Sequence, residues 1–300
     1  MPPRWAFITG TSTGIGRALA MRLARDGTRV LAGVRREADG VALRDELGAA
    51  RGELVPVIVD VANEGSIAAA AERVDALVGD DGLWALVNNA GISVPGPVEH
   101  VPLSGWRRQF EVNLFGMVET TRACLPLLRR GVRVHGLFAP RIMFVSSIGG
   151  RIAHPVNAPY TCSKFATNAL GDALRLELRR QGIGVTVVEP GAISTPIWGK
   201  GHGAADEFGP GHPARAHYGP EIDGIVRLAR QLEESALSAD AAAEIMARKL
   251  SARRAPARVL IGRDAKLMAL VARFLPASWF DALVLRAYGV ARLPTETPSA

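Results

Sequence analysis

A doubly wound α/β fold, a parallel seven-stranded sheet with helices on both faces, is what the chain's patterning predicts. Short apolar, β-branched runs occur at residues 5–9, 29–34, 54–59, 83–87, 142–145, 185–188 and 258–261, which gives seven strands. Between them, segments of helical period or Ala/Leu/Arg composition occupy 15–25, 38–47, 66–78, 103–130 and 157–180. Strand followed by helix, repeated, means right-handed βαβ crossovers. The strands are continuously apolar rather than alternating, as they are when helices cover both faces. Sheets of this kind bind ligands at the carboxyl ends of their strands, so function is expected there.

The chain has 300 residues, enough for one large domain spanning 1–300. The sequence carries no uncharged apolar stretch of about 18 residues, so no membrane-spanning helix is expected. Met1–Arg4 leads straight into the short run Trp5–Ile8 without a secretory pattern, and a cytoplasmic location is expected. Two cysteines, Cys124 and Cys162, both in helical segments, suggest reduced thiols rather than a stapled scaffold. The net charge of +7 is spread along helices, as at Arg22, Arg25, Arg44 and Arg73, which describes a solvated surface and not a nucleic-acid partner. Residues 198–220 are dense in Gly, Pro and His and read as a loop with no regular element.

The first strand runs into Thr9-Gly10-Thr11-Ser12-Thr13-Gly14-Ile15-Gly16 and then a helix. Gly10 permits a tight turn, while Gly14 and Gly16 let backbone amides approach a pyrophosphate at the positive helix end. Ser12, Thr13 and Ile15 share that loop. Asp60-Val61 and Asn88-Asn89-Ala90-Gly91 follow the third and fourth strands on the same edge of the sheet. Asp60 alone reads equally well as a helix cap.

After the fifth strand come Ser146-Ser147 and, thirteen residues beyond Ser147, Tyr160-Thr161-Cys162-Ser163-Lys164 at the start of a helix. The i, i+4 spacing puts the Tyr160 phenol and the Lys164 ammonium on one face. Asn157 stands at the cap position and Pro159 in the first turn. A free phenol titrates near pH 10, so Lys164 and the helix end are expected to lower it. A phenol tuned in this way suits protonation of an alkoxide, and Ser147 can donate to the same oxygen. Asn113, a poor helix former, lies inside the long segment 103–130.

Taken in order with Pro190-Gly191-Ala192-Ile193-Ser194-Thr195, these motifs resemble the short-chain dehydrogenase/reductase family over residues 4–200. The resemblance implies an NAD(P)-dependent oxidoreductase that moves a hydride between nicotinamide and an alcohol or ketone carbon. It implies a catalytic tetrad of Asn113, Ser147, Tyr160 and Lys164, in which Asn113 kinks its helix and holds a water for a proton relay linked to Lys164. It further implies adenine contacts from Asp60 and Val61, a cleft shaped by Asn89, Ala90 and Gly91, and cofactor contacts from Pro190, Gly191, Ile193 and Thr195, with Thr195 on the carboxamide. Val34 stands where an NAD-binding strand would end in an acid, and Arg35 follows, so NADP(H) is favoured over NAD(H). Arg35 and Arg36 read alternatively as solvated surface charges.

The segments 145–151, 188–191 and 262–266 resemble the retinol and hydroxysteroid dehydrogenase branch, without its membrane anchor and with a longer link at 131–140. A substrate lid at about 196–250 and an apolar extension at 264–291 suggest a lipophilic secondary alcohol or ketone of steroid, retinoid or long-chain type. Lys200 and His202 are the candidates for a small polar carbonyl instead. A homodimer or homotetramer is expected, and the tail is expected to pack on core or subunit in preference to a membrane surface. His202, His212 and His217 lack a metal-site context, so no metal is expected. A protein that senses cofactor without turnover would keep the glycine loop but would have little need for Ser147, Tyr160 and Lys164 together.

Overall fold

The computed structural model describes residues 4–135, 140–196 and 207–290. Its strands are β1 (Trp5–Ile8), β2 (Arg29–Val34), β3 (Glu53–Ile58), β4 (Ala85–Asn88), β5 (Arg141–Val145), β6 (Gly184–Pro190), β7 (Ile193–Ser194), β8 (Leu237–Ser238) and β9 (Arg258–Ile261). Seven of them form one sheet of order β3-β2-β1-β4-β5-β6-β9, every pair parallel. The seven expected runs are these seven strands. Pro56 lies in β3, the edge strand, where a residue without an N–H is tolerated.

The helices are α1 (Gly14–Arg25), α2 (Glu37–Leu47), α3 (Glu64–Val78), α4 (Leu103–Phe110), α5 (Gly116–His135), α6 (Ala158–Glu177), α7 (Arg215–Glu234), α8 (Ala239–Leu250), α9 (Arg263–Phe274) and α10 (Ala277–Ala287). They leave an apolar core on each side of the sheet. One joins Leu19 and Leu23 of α1 to Ala6 and Ile8 of β1 and to Met246 and Leu250 of α8. The other joins Phe7 and Leu86 of the sheet to Val74 of α3 and Leu127 and Leu128 of α5. Each fully buried side chain of this size contributes about 1.5–3 kcal/mol, so the sheet is held from both faces.

Three expectations are corrected. The segment 103–130 is not one helix: a π-turn at Glu111–Phe115 separates α4 from α5, and Asn113 sits within it. Residues 198–220 are not wholly irregular, since α7 starts at Arg215 and carries Pro220 inside it. Part of that segment, with Trp198, Lys200 and His202, lies outside the described residues, as do residues 136–139 of the link at 131–140. A lid reaching 250 is also too long, because α8 packs against α1 and belongs to the layer covering the sheet. No described helix is long and apolar enough to cross a membrane.

Candidate functional site

The chain runs outward from β1 through β2 to β3, then crosses back to place β4 on the other flank of β1. Loops leaving β1 and β4 therefore part in opposite directions, the position where such sheets open a ligand crevice. The two loops are fastened together. Thr9 Oγ1 accepts the Asn89 and Ala90 amides, each at 3.1 Å, and Asn89 Nδ2 donates to Thr9 O and Gly10 O at 3.0 and 2.9 Å. Thr11 Oγ1 donates to Gly33 O at 3.1 Å, tying the loop to β2 as well.

The glycines have reasons the spacing did not disclose. A Cβ on Gly10, whose φ is +69°, would lie 2.8 Å from Ala90 Cα, and one on Gly16 would lie 2.4 Å from Gly10 O. Gly16 is thus demanded by internal packing whatever it does for a pyrophosphate. Gly14, at φ +61°, lies beside Thr195, which brings the turn after β6 against the glycine loop. Ser12 and Thr13 are exposed, and Thr13, at the start of α1, makes no side-chain capping bond. The first amides of α1 therefore stay open to an anion, so the loop fits a cofactor pyrophosphate.

Beyond β2, Arg36 and Asp39 form a two-bond ion pair at 3.0 and 2.7 Å. The Arg36 guanidinium holds the Asp39 carboxyl below its usual range, and Arg35 adds to that effect. Arg35 itself is exposed and has no ion pair among the described residues. Asp60 and Val61 follow β3, and Asp60 Oδ1 accepts the Ala62 amide at 3.1 Å. The cap of α3 is Asn63, which accepts the Ser66 amide at 2.8 Å, so Asp60 is a turn former and not the helix cap.

Ser147, Tyr160, Lys164 and Asn113 converge on the carboxyl ends of β4 and β5. Ser147 Oγ accepts the Gly149 amide at 3.0 Å and lies beside the Tyr160 ring at Gly149, where it favours the ionised phenol. Lys164 Nζ is buried, donates to Val145 O at 2.8 Å and lies 5.6 Å from the centre of the Tyr160 ring. Burial pushes the Lys164 ammonium down to about 8. The expected lowering of Tyr160 is not what the structure gives: burial raises the phenol, and only the neighbouring Ser147 acts against it. Lys164 spends a donor on a strand carbonyl, and taking the phenol out of water costs more than that neighbour returns.

Asn113 is fully buried, and its amide clamps one residue of the loop after β4. Oδ1 accepts Ile92 N at 2.9 Å and Nδ2 donates to Ile92 O at 3.0 Å. Nδ2 also donates to Ser163 Oγ at 3.1 Å, and Ser163 donates to Tyr160 O at 2.7 Å. Gln109, one turn earlier on α4, grips the same loop at Val94 N and Ile92 O, 2.7 and 2.9 Å away. The Asn113 side chain is thus occupied in positioning, and only its location in the π-turn matches the expected kink. Asn157 stands at the start of α6 but makes no capping bond. Gln109 escaped sequence reading because it belongs to no spaced motif, and Ser163 because only the ends of the Tyr160–Lys164 motif carry its spacing.

A second buried network holds the loops after β5 and β6 in register. Arg151 binds Glu189 through two bonds of 2.8 Å, and Arg258 and Asn168 reach the same carboxylate at 2.7 and 2.9 Å. Asp264 accepts the Ala192 amide at 2.7 Å, and a Cβ on Gly191 would strike that carboxylate. Beyond the sheet, Val156, Phe208, Ala214 and Ile222 form a third small apolar cluster. Val156 has φ +60°, strained for a β-branched residue at about 1–3 kcal/mol, and its carbonyl accepts the Gly96 amide at 2.8 Å. Tyr288, just past α10, stacks on His154 with centres 6.2 Å apart and 23° between planes. Its carbonyl accepts from Arg227 of α7 at 2.5 Å.

Of the expected histidines, His212 accepts the Ala214 amide at 3.1 Å and packs edge-on to Phe208 and His100. Among the described residues no group of His, Cys, Asp or Glu has the arrangement of a metal site.

Known proteins place this architecture. A 17-beta-hydroxysteroid dehydrogenase type 6 from Bos taurus is 36% identical over 292 residues, covering 95% of this chain and 89% of its own. An NADPH-dependent 3-dehydrocapnine reductase from Ornithobacterium rhinotracheale is 33% identical over 272 residues, covering 91% and 92%. The crystal structure of a short-chain dehydrogenase from Streptomyces avermitilis superposes with a TM-score of 0.73 at 27% identity, covering 97% of this chain and 98% of that one. The short chain dehydrogenase family model matches residues 4–203. With a glycine loop fastened to the β4 loop and Ser147, Tyr160 and Lys164 beside it, the chain belongs to the short-chain dehydrogenase/reductase family of oxidoreductases.

Proposed function

We propose that this oxidoreductase transfers a hydride between NADP(H) and a lipophilic secondary alcohol or ketone, with Tyr160 moving the proton. The observation that carries the reading is the placement of Ser147 beside Tyr160, backed by buried Lys164 and next to an uncapped helix start. When bound, the nicotinamide supplies or accepts the hydride.

Gly10, Ser12, Thr13, Gly14, Ile15 and Gly16 hold the pyrophosphate on this reading, with Arg35 at the 2'-phosphate and Asp60 and Val61 at the adenine. Asn89, Ala90 and Gly91 line one wall, and Pro190, Gly191, Ile193 and Thr195 the nicotinamide end. Arg35 is preferred over Arg36 because Arg36 is engaged by Asp39. The NADPH dependence of the Ornithobacterium relative supports the same choice.

A phenol raised by burial keeps its proton at neutral pH, which suits donation to the oxygen of a carbonyl being reduced. Ser147 Oγ already accepts from Gly149, so its own hydrogen is free to stabilise negative charge on that oxygen or on Tyr160. Lys164, charged below about pH 8, stabilises the tyrosinate left behind. Asn113 and Ser163 hold the first turn of α6 and so set where the Tyr160 hydroxyl stands.

The lipophilic substrate is supported by the third cluster, in which Phe208, Ala214 and Ile222 pack on Val156, four residues before Tyr160. A homo-oligomer belongs to the proposal too, because Phe115, Phe165 and Leu176 stay exposed around α5 and α6. A panel of steroid, retinoid, long-chain acyl and sugar carbonyls, followed by NADPH absorbance, tests the substrate class. The highest kcat/KM is expected among the apolar ketones, and a clear preference for sugars or small charged ketoacids would overturn it.

A further inference from the structure

Helices α9 and α10 bury their small side and expose their large one. On α9 the buried residues are Ala265 and Ala269. Leu267, Leu270 and Phe274, at i, i+3 and i+7, form a stripe on the opposite face and are 60%, 57% and 71% exposed. On α10 the buried residue is Val284, while Trp279 and Leu283, one turn apart on the other side, are 69% and 43% exposed. A helix that packs only on its own protein turns its largest apolar residues inward. Exposed apolar side chains scattered singly need no explanation, but five on two consecutive helices mark a surface for a partner.

Charge selects the partner. Arg263, Lys266, Arg273 and Arg286 are exposed on the same two helices. Of the two acids there, Asp264 is engaged by the Ala192 amide, leaving Asp281. Docked on a second copy of itself, this face would bring two sets of cations together, which is costly. Lipid phosphates instead meet each cation while the Lys and Arg stems lie along the apolar stripe, and an indole such as Trp279 is stable at that boundary. At 12 and 11 residues the two helices are roughly 18 and 16 Å long, too short for a hydrocarbon core of about 30 Å.

We propose that α9 and α10 dock in the plane of an anionic bilayer surface, with Leu267, Leu270, Phe274, Trp279 and Leu283 inserted and the four cations on headgroup phosphates. The docked element is joined to the candidate substrate side, since Tyr288 just beyond α10 stacks on His154 and is bonded to α7. Contact with the bilayer therefore sets the mouth for apolar molecules against the phase that dissolves them.

The test is co-sedimentation of the full chain with vesicles of phosphatidylcholine alone or mixed with phosphatidylglycerol. Binding is expected to the mixed vesicles, weakly to the neutral ones, and to fall with salt. Phe274→Glu is expected to lower partitioning at least about tenfold and Lys266→Glu by roughly tenfold, both with unchanged Tm because the side chains are exposed. Wild-type protein that stays in the supernatant with mixed vesicles overturns the proposal, and so does a Phe274→Glu variant that binds like wild type. A wild-type dimer that ignores vesicles and becomes monomeric on Phe274→Glu overturns it in favour of a second copy.

Discussion

On the cofactor side of the molecule, main chain meets main chain. A Cβ on Gly16 would lie 2.4 Å from Gly10 O, one on Gly33 2.8 Å from Ile8 O, and one on Gly116 2.3 Å from Val61 O. On the proposed substrate side, Val156, Phe208, Ala214 and Ile222 meet side chain to side chain, and what they must satisfy is a volume. Only glycine solves the first problem, whereas many combinations of apolar residues solve the second. The cofactor side is therefore written as a motif and the substrate side is not.

The largest effect expected sits where the two sides meet. Tyr160→Phe keeps the ring and its packing and removes the proton donor, so turnover should fall about 10²–10⁴-fold with the Kd for NADPH unchanged. Wild-type turnover by the Phe variant on a reactive ketone would mean that the cofactor side suffices without this group.

Two glycine substitutions compare the sides directly. Gly16→Ala forces a methyl onto Gly10 O and Asn89, and is expected to cost about 1–3 kcal/mol of stability and to weaken cofactor binding. Gly224→Ala forces a methyl onto the Tyr288 carbonyl, 2.4 Å away, and is expected to change KM and selectivity among large substrates while the NADPH Kd stays put. Melting curves and ligand titrations separate these outcomes. A change in NADPH affinity on Gly224→Ala would show that the two sides are coupled.

Legibility followed the same division. The strands could be read because buried parallel strands are continuously apolar, and β5 (Arg141–Val145) is buried along its whole length. Asn113 was visible as an anomaly within a helical segment, but the π-turn around it was not, because an extra residue per turn leaves no mark in apolar period. Pro220 suggested a break where α7 continues through it. Glu189, held by Arg151, Arg258 and Asn168, could not be foreseen, since its partners come from three distant places in the chain. The two-residue strands β7 and β8 are too short for any pattern.

Within the cofactor side, Arg35 and Arg36 sharpen the point that adjacent identical residues can differ. Arg35→Ala is expected to raise the Kd for NADPH about tenfold and to leave NADH nearly unchanged, because one charge-assisted contact to a phosphate is lost. Arg36→Ala removes a solvent-screened pair with Asp39 and should alter neither affinity by more than about twofold. Equal wild-type affinities for the two cofactors would remove the preference altogether.

The smallest effect expected is a titration, and its sign follows from burial. Taking Lys164 out of water disfavours its ammonium, so its pKa falls to about 8; it is charged below that pH and loses its proton as pH rises. Tyr160, raised by the same burial, keeps its proton through this range, so the limb belongs to Lys164. With the tyrosinate left behind less stabilised, kcat/KM for ketone reduction should be about halved near pH 8 and continue to fall above it. Between the folded value of about 8 and the ordinary 10.5, the unfolded chain holds a proton the folded one has lost, so this group's contribution to stability rises with pH through that window. Lys164→Arg, whose guanidinium stays charged, should move the activity limb out of the range while leaving the low-pH rate measurable. A flat wild-type profile from pH 6 to about 9.5, or an unmoved limb in the Arg variant, would show that the proton lost near pH 8 is not that of Lys164.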